Sequence, residues 1–442
     1  MITRPKVFDL AGVGLGPFNL SLAALSAKIE GLKTVFFEKK ADFSWHPELM
    51  MSDVTMQTSF LKDLVTGVDP TSRYSFLNYL LEKQLLYSFL NTGRMNVSRQ
   101  EFDAYGKWVA KNLANLEFST PVTKVAFDGQ LFRISTDKEV VLAQHICLGT
   151  GPVPNIPEVA LPYLSAQCFH PKLQGLHNLD VTGKKVAIIG GGQTGAEILL
   201  HTLNESWGRA LEVNFVSRRA NLFPLDESPF VNEYFTPDYV RQFAELSTPV
   251  KSKVVAEQKL SSDGITEELL KELYCKLFSL KLTGTGPNTK ILTSRELAGM
   301  VKQGPTHCLE LRNSLFPEPE FLEADIVILA TGFRHSLPGI LSGIEKQFSR
   351  DLVGNIAITK DFEVSWSHMD SNHIFMQNFG RNVIGISEPQ TSLMAWRSGK
   401  ILNHLTGKKS FNTSEGESCF MTLGAGFSKA SVDLPGVLQS HI

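Results

Sequence analysis

The stretch FDLAGVGLGPFNL (residues 8–20) runs from a short apolar segment through three alternating glycines into a helix-like pattern. Val7 to Ala11 has the composition of a buried strand. Gly12, Gly14 and Gly16 follow, and Phe18 to Ile29 carries apolar residues at helical spacing. A second strand, KTVFFEKK (33–40), ends in Glu38. A strand, glycine turn, helix and strand closed by an acid is the layout of a dinucleotide site. Gly12 permits the tight turn, and Gly14 lets the backbone approach a pyrophosphate. The helix start supplies free N–H groups and the positive end of its dipole. Pro17 stands where a third small residue is usual, and the first helical turn accepts it because its missing N–H has no intrahelical partner. A carboxylate at Glu38 accepts hydrogen bonds from a ribose diol and repels a 2′-phosphate, so an adenine dinucleotide without that phosphate is expected here.

The same design recurs in KKVAIIGGGQTGAEI (184–198). Lys185 to Ile189 reads as strand, and Gly190, Gly192 and Gly195 give the full G-x-G-x-x-G spacing, with Gln193 and Thr194 inside it. Ala196 to Leu203 continues as helix. The next strand, EVNFVSRR (212–219), ends in Ser217, Arg218 and Arg219 rather than an acid. A guanidinium at Arg218 can fork onto a 2′-phosphate and select NADPH over NADH; taken alone, the same residues also fit a solvated basic turn.

At 442 residues the chain has room for two or three domains, and 43% hydrophobic with 20% charged residues suits a folded globular protein. A net charge of −2 gives no electrostatic reason to expect nucleic acid or an anionic membrane. Cysteines 147, 168, 275, 308 and 419 include no C-x-x-C pair, which fits free thiols in a reducing compartment and argues against a dithiol–disulfide reductase. Only MITRPK precedes the first strand, and no apolar run approaches the ~20 residues of a membrane span. The expectation is a cytoplasmic protein without a signal peptide.

Two apolar segments that end in small residues, HICLGTG (145–151) and ADIVILATGF (324–333), flank the second glycine turn. Small residues there let the chain pass close to a cofactor, with Thr331 and Gly332 beside it, or cross between domains; the pairing of the two segments suggests an inserted domain. The expected fold is α/β with two Rossmann-like dinucleotide-binding domains. The FAD domain, carrying the substrate elements, is assigned to residues 1–165 and 325–442, and the NADPH domain to 166–324. After Lys409 the chain turns polar and rich in Ser and Gly, and a loosely held tail is expected. Two nucleotides without a redox cysteine pair imply that electrons pass from nicotinamide to flavin and onward.

The segment FSWHPELMMSDVTMQTSFLKDLVTGVDPTSRYSFLNYL (43–80) resembles the flavin-dependent N-hydroxylating monooxygenases of siderophore biosynthesis, the lysine, ornithine and diamine N-hydroxylases. The resemblance continues through GVGLGPFNLSLAAL (12–25), CLGTG (147–151), GGGQTGAE (190–197), DESPFVNEYFTPDY (226–239), ATGF (330–333) and EPQTSLMAWR (388–397), nearly the whole chain. It implies FAD and NADPH as cofactors and a small primary amine and O2 as substrates. Oxygen would be transferred through a flavin C4a-hydroperoxide. It also implies a homo-oligomer, a tetramer in the family.

Residue by residue, the resemblance places Gln57 beside the isoalloxazine, Lys62 at substrate or cofactor, and Trp45 and His46 near the flavin. It places Asn232 on the substrate and nicotinamide side, Ser392 in the substrate pocket and Arg218 at the 2′-phosphate. Without the motif, Lys62 reads as a surface lysine and Trp45-His46 as core packing. Three departures stand out: SSDGITEEL (261–269) lacks the N-Y-S segment of ornithine hydroxylases, Ile384 replaces a common His, and Glu48 follows W-H-P. Ornithine is thereby disfavoured. The expected substrate is a short diamine, putrescine or cadaverine, with L-lysine as the alternative. An NADPH-dependent flavin reductase that oxygenates nothing, and a flavin-containing sensor, are the rival readings.

Overall fold

The computed structural model describes residues 6–51, 54–351, 354–414 and 420–424, and its chain builds two main sheets, one mixed and one parallel. The first begins with β1 (Val7–Val13), α1 (Pro17–Ser26) and β2 (Thr34–Phe37), the unit expected from the opening glycines. The strand β3 (Thr55–Ser59) pairs outside this sheet, while β4 (Val140–Leu148) lies parallel to β1, with Gly12 beside Cys147. The strands Val122–Phe127 and Phe132–Thr136 extend the β4 edge antiparallel, and Leu116–Glu117 closes the other edge beside β2.

The second sheet contains β5 (Lys185–Ile189), followed by α2 (Gln193–Leu203), then β6 (Glu212–Val216) and β7 (Ile326–Leu329). Its order is Cys168–Phe169, β7, β5, β6, Asn288–Leu292, all parallel. An antiparallel three-stranded sheet spans Arg295–Gln303, Thr306–Asn313 and Glu320–Ala324. The chain then returns to the first sheet at β8 (Ile374–Met376), parallel to β4, and ends in α3 (Met394–Thr406) packed on α1.

One expected boundary is corrected. A division at 324/325 assigns β7 to the first unit, yet β7 pairs with β5 in the register Val186–Ile326 to Ile189–Leu329. A wholly apolar strand takes its sheet from the partner it bonds, which its own composition does not disclose. The crossover is instead a short antiparallel contact, Phe333 and Arg334 against Pro154 and Val153.

Each sheet has its own core. Leu10, Leu20, Phe36, Tyr105, Phe375, Met394 and Ile401 are buried between the first sheet and its helices. Val186, Ile188, Leu199, Phe215 and Ile328 form the second. Among the described residues no helix is long and apolar enough to cross a membrane. Four cysteines are free thiols, and Cys419 lies outside the described residues. The segment expected to be loosely held is docked where it is described: Phe420 and Met421 donate backbone N–H to Glu233, both at 2.9 Å, and Leu423 donates to Gln242 at 2.6 Å. Residues 415–419 and 425–442 of that tail lie outside the described residues.

Candidate active site

The first glycine turn is shaped by backbone contact. Gly14 has φ +82°, and a Cβ there would stand 2.8 Å from the Gly149 carbonyl oxygen, which excludes any side chain. Gly16 caps α1 with no side-chain hydrogen bond and has open space where a Cβ would project. The helix start is therefore uncapped and facing free volume, the arrangement that receives a phosphate. Glu38, just past β2, is buried and its carboxylate accepts from Leu15 N at 2.7 Å and Lys40 N at 3.0 Å. The acid thus sits against the turn.

The second turn repeats the geometry. Gly190 has φ +134°, and a Cβ would lie 2.1 Å from the Ala330 carbonyl oxygen. Gly192 caps α2 with no side-chain bond and with open space beyond it. The side chain of Gln193 faces inward instead: it donates to Glu197 at 2.9 Å and accepts from Thr266 N at 2.9 Å. With that side chain engaged, Gln193 offers a nucleotide its main chain, and Thr194 follows it in the same first helical turn. Arg218 leaves 74% of its side chain exposed and touches Glu296 at 3.6 Å, so it can swing to a ligand. Sequence reasoning passed over Arg219, whose Nη1 is buried without a partner among the described residues.

The separated motifs meet around α1. Ser21 donates to the Leu64 carbonyl at 2.6 Å and approaches the Met394 carbonyl at 3.5 Å, tying the Lys62 loop and the start of α3 to one helix. β3, carrying Gln57, packs on the turn Thr391–Leu393, which carries Ser392. Asn19 donates to the Gly14 carbonyl at 2.7 Å and accepts from Gln377 at 2.7 Å, fastening the glycine turn to the chain after β8. Arg397 stacks its guanidinium 4.5 Å from the Phe18 ring and bonds Asn378 and the Glu388 carbonyl. Neither Asn19 nor the Arg397–Glu388 pair was anticipated.

Within this assembly Gln57 is exposed on β3, opposite buried Met56. Asp63 is buried and accepts from Val65 N, Thr66 N and Phe76 N, which fixes the loop presenting Lys62. The Lys62 ammonium reaches solvent but is walled by protein, and that partial desolvation lowers its pKa. No ion pair engages it among the described residues. Trp45 N donates to Asp103 at 2.7 Å and its ring meets Phe102 edge-on at 5.1 Å.

His46 adopts φ +49°, uncommon for any residue with a Cβ, and its Nδ1 is buried without a partner among the described residues. Burial first, then the nearby Lys172 and Arg99 cations, push its pKa down to about 3, so the ring is neutral. Glu48 reaches away from this point and pairs with Lys172 at 2.9 Å.

Asn232 is exposed at the end of the short helix Pro229–Asn232, its amide donating to the Glu227 carbonyl at 3.1 Å. The following helix, Pro237–Ala244, packs on Arg381–Ile384, and Arg381 bonds Ser262 at 3.2 Å. The 226–239 and 261–269 motifs therefore both meet the Ile384-Gly385 position. Ile384 is buried in the first core. Thr331 and Gly332 stand where the chain crosses between the two sheets. The Thr331 hydroxyl donates to the Asn155 carbonyl at 2.5 Å, and the Gly332 carbonyl bonds His170 at 3.0 Å, so both brace the crossover between sheets.

Two uncapped helix starts over glycine turns fit two dinucleotides, and the partnerless buried atoms Ser387 Oγ, Ser392 Oγ and His46 Nδ1 fit polar contacts to a bound group. Residues 6–335 match the L-lysine 6-monooxygenase/L-ornithine 5-monooxygenase family. The chain belongs to this family. It is 41% identical to the L-lysine N6-monooxygenase of Escherichia coli over 92% of this chain and 97% of that one. It is 31% identical to the putrescine N-hydroxylase of Shewanella oneidensis, over 92% and 83% of the two chains. The FAD-bound cadaverine monooxygenase of Erwinia amylovora superposes with a TM-score of 0.88 at 28% identity, covering 96% of this chain and all of that one. As a member of the family the protein is a flavin-dependent N-hydroxylating monooxygenase that uses FAD and NADPH.

Proposed function

We propose that the protein hydroxylates the side-chain amine of L-lysine at N6, with NADPH and O2 as co-substrates, to supply a hydroxamate siderophore. The observation that carries the choice of substrate is the 41% identity with a lysine N6-monooxygenase, against 31% with the putrescine N-hydroxylases. This departs from the diamine expected from the sequence and takes up the L-lysine alternative. The unpaired Lys62 ammonium supports it, because lysine presents a carboxylate and a diamine does not.

When bound, FAD takes reducing equivalents from NADPH and activates O2 for transfer of one oxygen atom to an amine. The protein's own part is positional. We assign the first glycine turn and Glu38 to the FAD phosphates and ribose, and the second turn with Arg218 to NADPH, divided between domains at residues 6–154 with 333–424 and 155–332. Gln57, Ser392 and neutral His46 offer polar contacts beside the reacting atoms. Lys62 holds the substrate carboxylate, and Asn232 lies on the nicotinamide and substrate side. The attacking amine must be neutral, yet an alkylamine has a pKa near ~10.4 in water. A site that keeps water from the amine disfavours the charged form and lowers that value.

The test is hydroxylamine yield and NADPH consumption with L-lysine, cadaverine, putrescine and L-ornithine. Hydroxylamine from lysine at kcat/KM at least tenfold above the diamines is the expected result; a diamine preference overturns it. The specific support for that second reading is the 0.88 TM-score to a cadaverine monooxygenase.

A further inference from the structure

At the far end of α3, three metal-ligating side chains converge. The Glu363 carboxylate, 2% exposed, stands 2.7 Å from His373 Nδ1 and 2.9 Å from His404 Nε2. These donor atoms all lie within 4.8 Å of one another. They come from separate parts of the chain: Glu363 from the segment bridged to Phe375, His373 from the residue before β8, and His404 from the last turn of α3. Ser392 and His404 are twelve positions apart, so along a helix the cluster lies about 18 Å from the proposed amine site.

The surroundings hold the cluster in shape. His145 stacks on His373 at 4.7 Å, and its Nδ1 accepts the His373 backbone N–H at 2.9 Å. Phe375 meets the His404 ring edge-on at 5.9 Å. Asp361 and Lys400, paired at 3.2 Å, sit on the same side. His373 and His404 keep 19% and 33% of their side chains exposed, which leaves a solvent path to the donors.

We propose that Glu363, His373 and His404 form a binding site for one divalent transition-metal ion, Zn2+ foremost, with water in the remaining position. Two imidazoles and a carboxylate are the donor set that Zn2+ accepts in open tetrahedral sites. Bonds of about 2.0–2.1 Å put neighbouring ligand atoms roughly 3.3 Å apart, so the pairs at 2.7 and 2.9 Å need to open by only a few tenths of an ångström. Each ring must present a lone pair where it now presents a proton. A neutral ring moves that proton to its other nitrogen, and a charged ring releases it to solvent. The buried carboxylate charge, now balanced by ring N–H groups, is balanced by the ion. The ion would pin the end of α3 to β8, two elements that also carry the loops around the first glycine turn.

The experiment uses full-length, tag-free, FAD-loaded protein after chelator treatment. Zn2+ is titrated by calorimetry, and Co2+ binding is followed by its visible d–d absorption. One equivalent of Zn2+, a Tm that rises with Zn2+ concentration and a Co2+ spectrum of tetrahedral intensity are expected. His404→Gln and His373→Asn should each weaken Zn2+ binding at least tenfold, whereas His177→Gln, outside the cluster, should leave it unchanged. His404 is partly exposed, so its variant should fold, and unchanged flavin absorbance checks this. No saturable binding, or binding that survives both cluster substitutions, overturns the proposal and leaves a hydrogen-bonded triad.

Discussion

The guanidinium of Arg99 forks onto the carboxylate of Glu197, with Nη1 and Nη2 3.2 and 3.1 Å from its two oxygens. Arg99 opens the helix Arg99–Lys111 of the first unit, and Glu197 lies on α2 directly after the second glycine turn. The pair therefore joins the two dinucleotide units. Glu197 is 3% exposed and Arg99 17%, so removing the arginine leaves a buried carboxylate with only Gln193 to satisfy it. Arg99→Ala should cost about 3 kcal/mol or more of stability. Removing Arg94 from its exposed pair with Glu101 should cost about 1 kcal/mol or less. Thermal unfolding of the two variants compares them directly, and equal losses would place the Arg99 pair among the surface pairs.

The proposed role of Arg218 in coenzyme choice is open to direct test. Among the described residues its ion-pair partner is Glu296, which Arg312 holds at 2.5 Å, so little restrains the guanidinium from turning to a 2′-phosphate. Arg218→Ala should raise the KM for NADPH about ten- to a hundredfold, the loss of one charge-assisted bidentate contact of about 1.5–3 kcal/mol. The KM for NADH should hardly move. Parallel losses for both coenzymes would make the arginine structural and shift attention to Arg219.

The position proposed for Gln57 predicts an effect on coupling. Gln57 projects from β3 on the face opposite buried Met56, beside the turn that carries Ser392. Gln57→Ala should keep FAD content and NADPH consumption within about twofold while the hydroxylamine yield per NADPH falls and hydrogen peroxide rises. A polar side chain beside the reacting oxygen holds it for the amine, and a methyl group cannot. Unchanged yield per NADPH would remove Gln57 from the site.

Both glycine turns were legible because the requirement for glycine is local. A Cβ at Gly14 or Gly190 strikes a carbonyl oxygen, so spacing alone reveals the turn. The strand β7 was legible as a strand but not as a member of the second sheet, since four buried apolar residues serve either sheet equally. Arg99 with Glu197, Asn19 with Gln377 and the Glu363 histidines are separated by tens to hundreds of positions, and no period in the sequence links them. The small residues of ATGF fit both a close cofactor approach and a crossing between sheets, and the Thr331 hydroxyl bonds Asn155 at that crossing.

His46 makes stability sensitive to acid. Burial lowers its pKa from 6.5 in the unfolded chain to about 3 when folded. As pH falls below 6.5 the unfolded chain takes up a proton that the folded one refuses, so stability declines until about pH 3. The share from this group is about 1.4 kcal/mol per pH unit, or roughly 2 kcal/mol between pH 7 and pH 5. His46→Asn keeps a residue that tolerates positive φ and does not titrate. Denaturant unfolding at pH 7 and pH 5 should show a smaller acid loss in the variant by about that amount. An identical loss in both proteins would show that the ring gains its proton without unfolding.

The substrate question narrows to Lys62. Its ammonium has no ion-pair partner among the described residues, and the loop that carries it is locked by the four hydrogen bonds accepted by Asp63. A cation so placed attracts the α-carboxylate of lysine and repels the second ammonium of a diamine. Partial desolvation lowers its pKa, which weakens the attraction towards alkaline pH, while the reacting amine becomes more reactive as it loses its proton. Turnover with saturating lysine should therefore rise from pH 6.5 to 9 as the reacting amine loses its proton. Lys62→Met keeps the apolar stem and removes the charge. With lysine it should raise KM at least tenfold. With cadaverine, KM should fall or stay level, because a like charge has gone. Steady-state hydroxylamine formation for both substrates in both proteins measures all four cases. If the variant loses lysine and cadaverine equally, Lys62 acts on the shared cofactor site and lysine recognition lies with other residues.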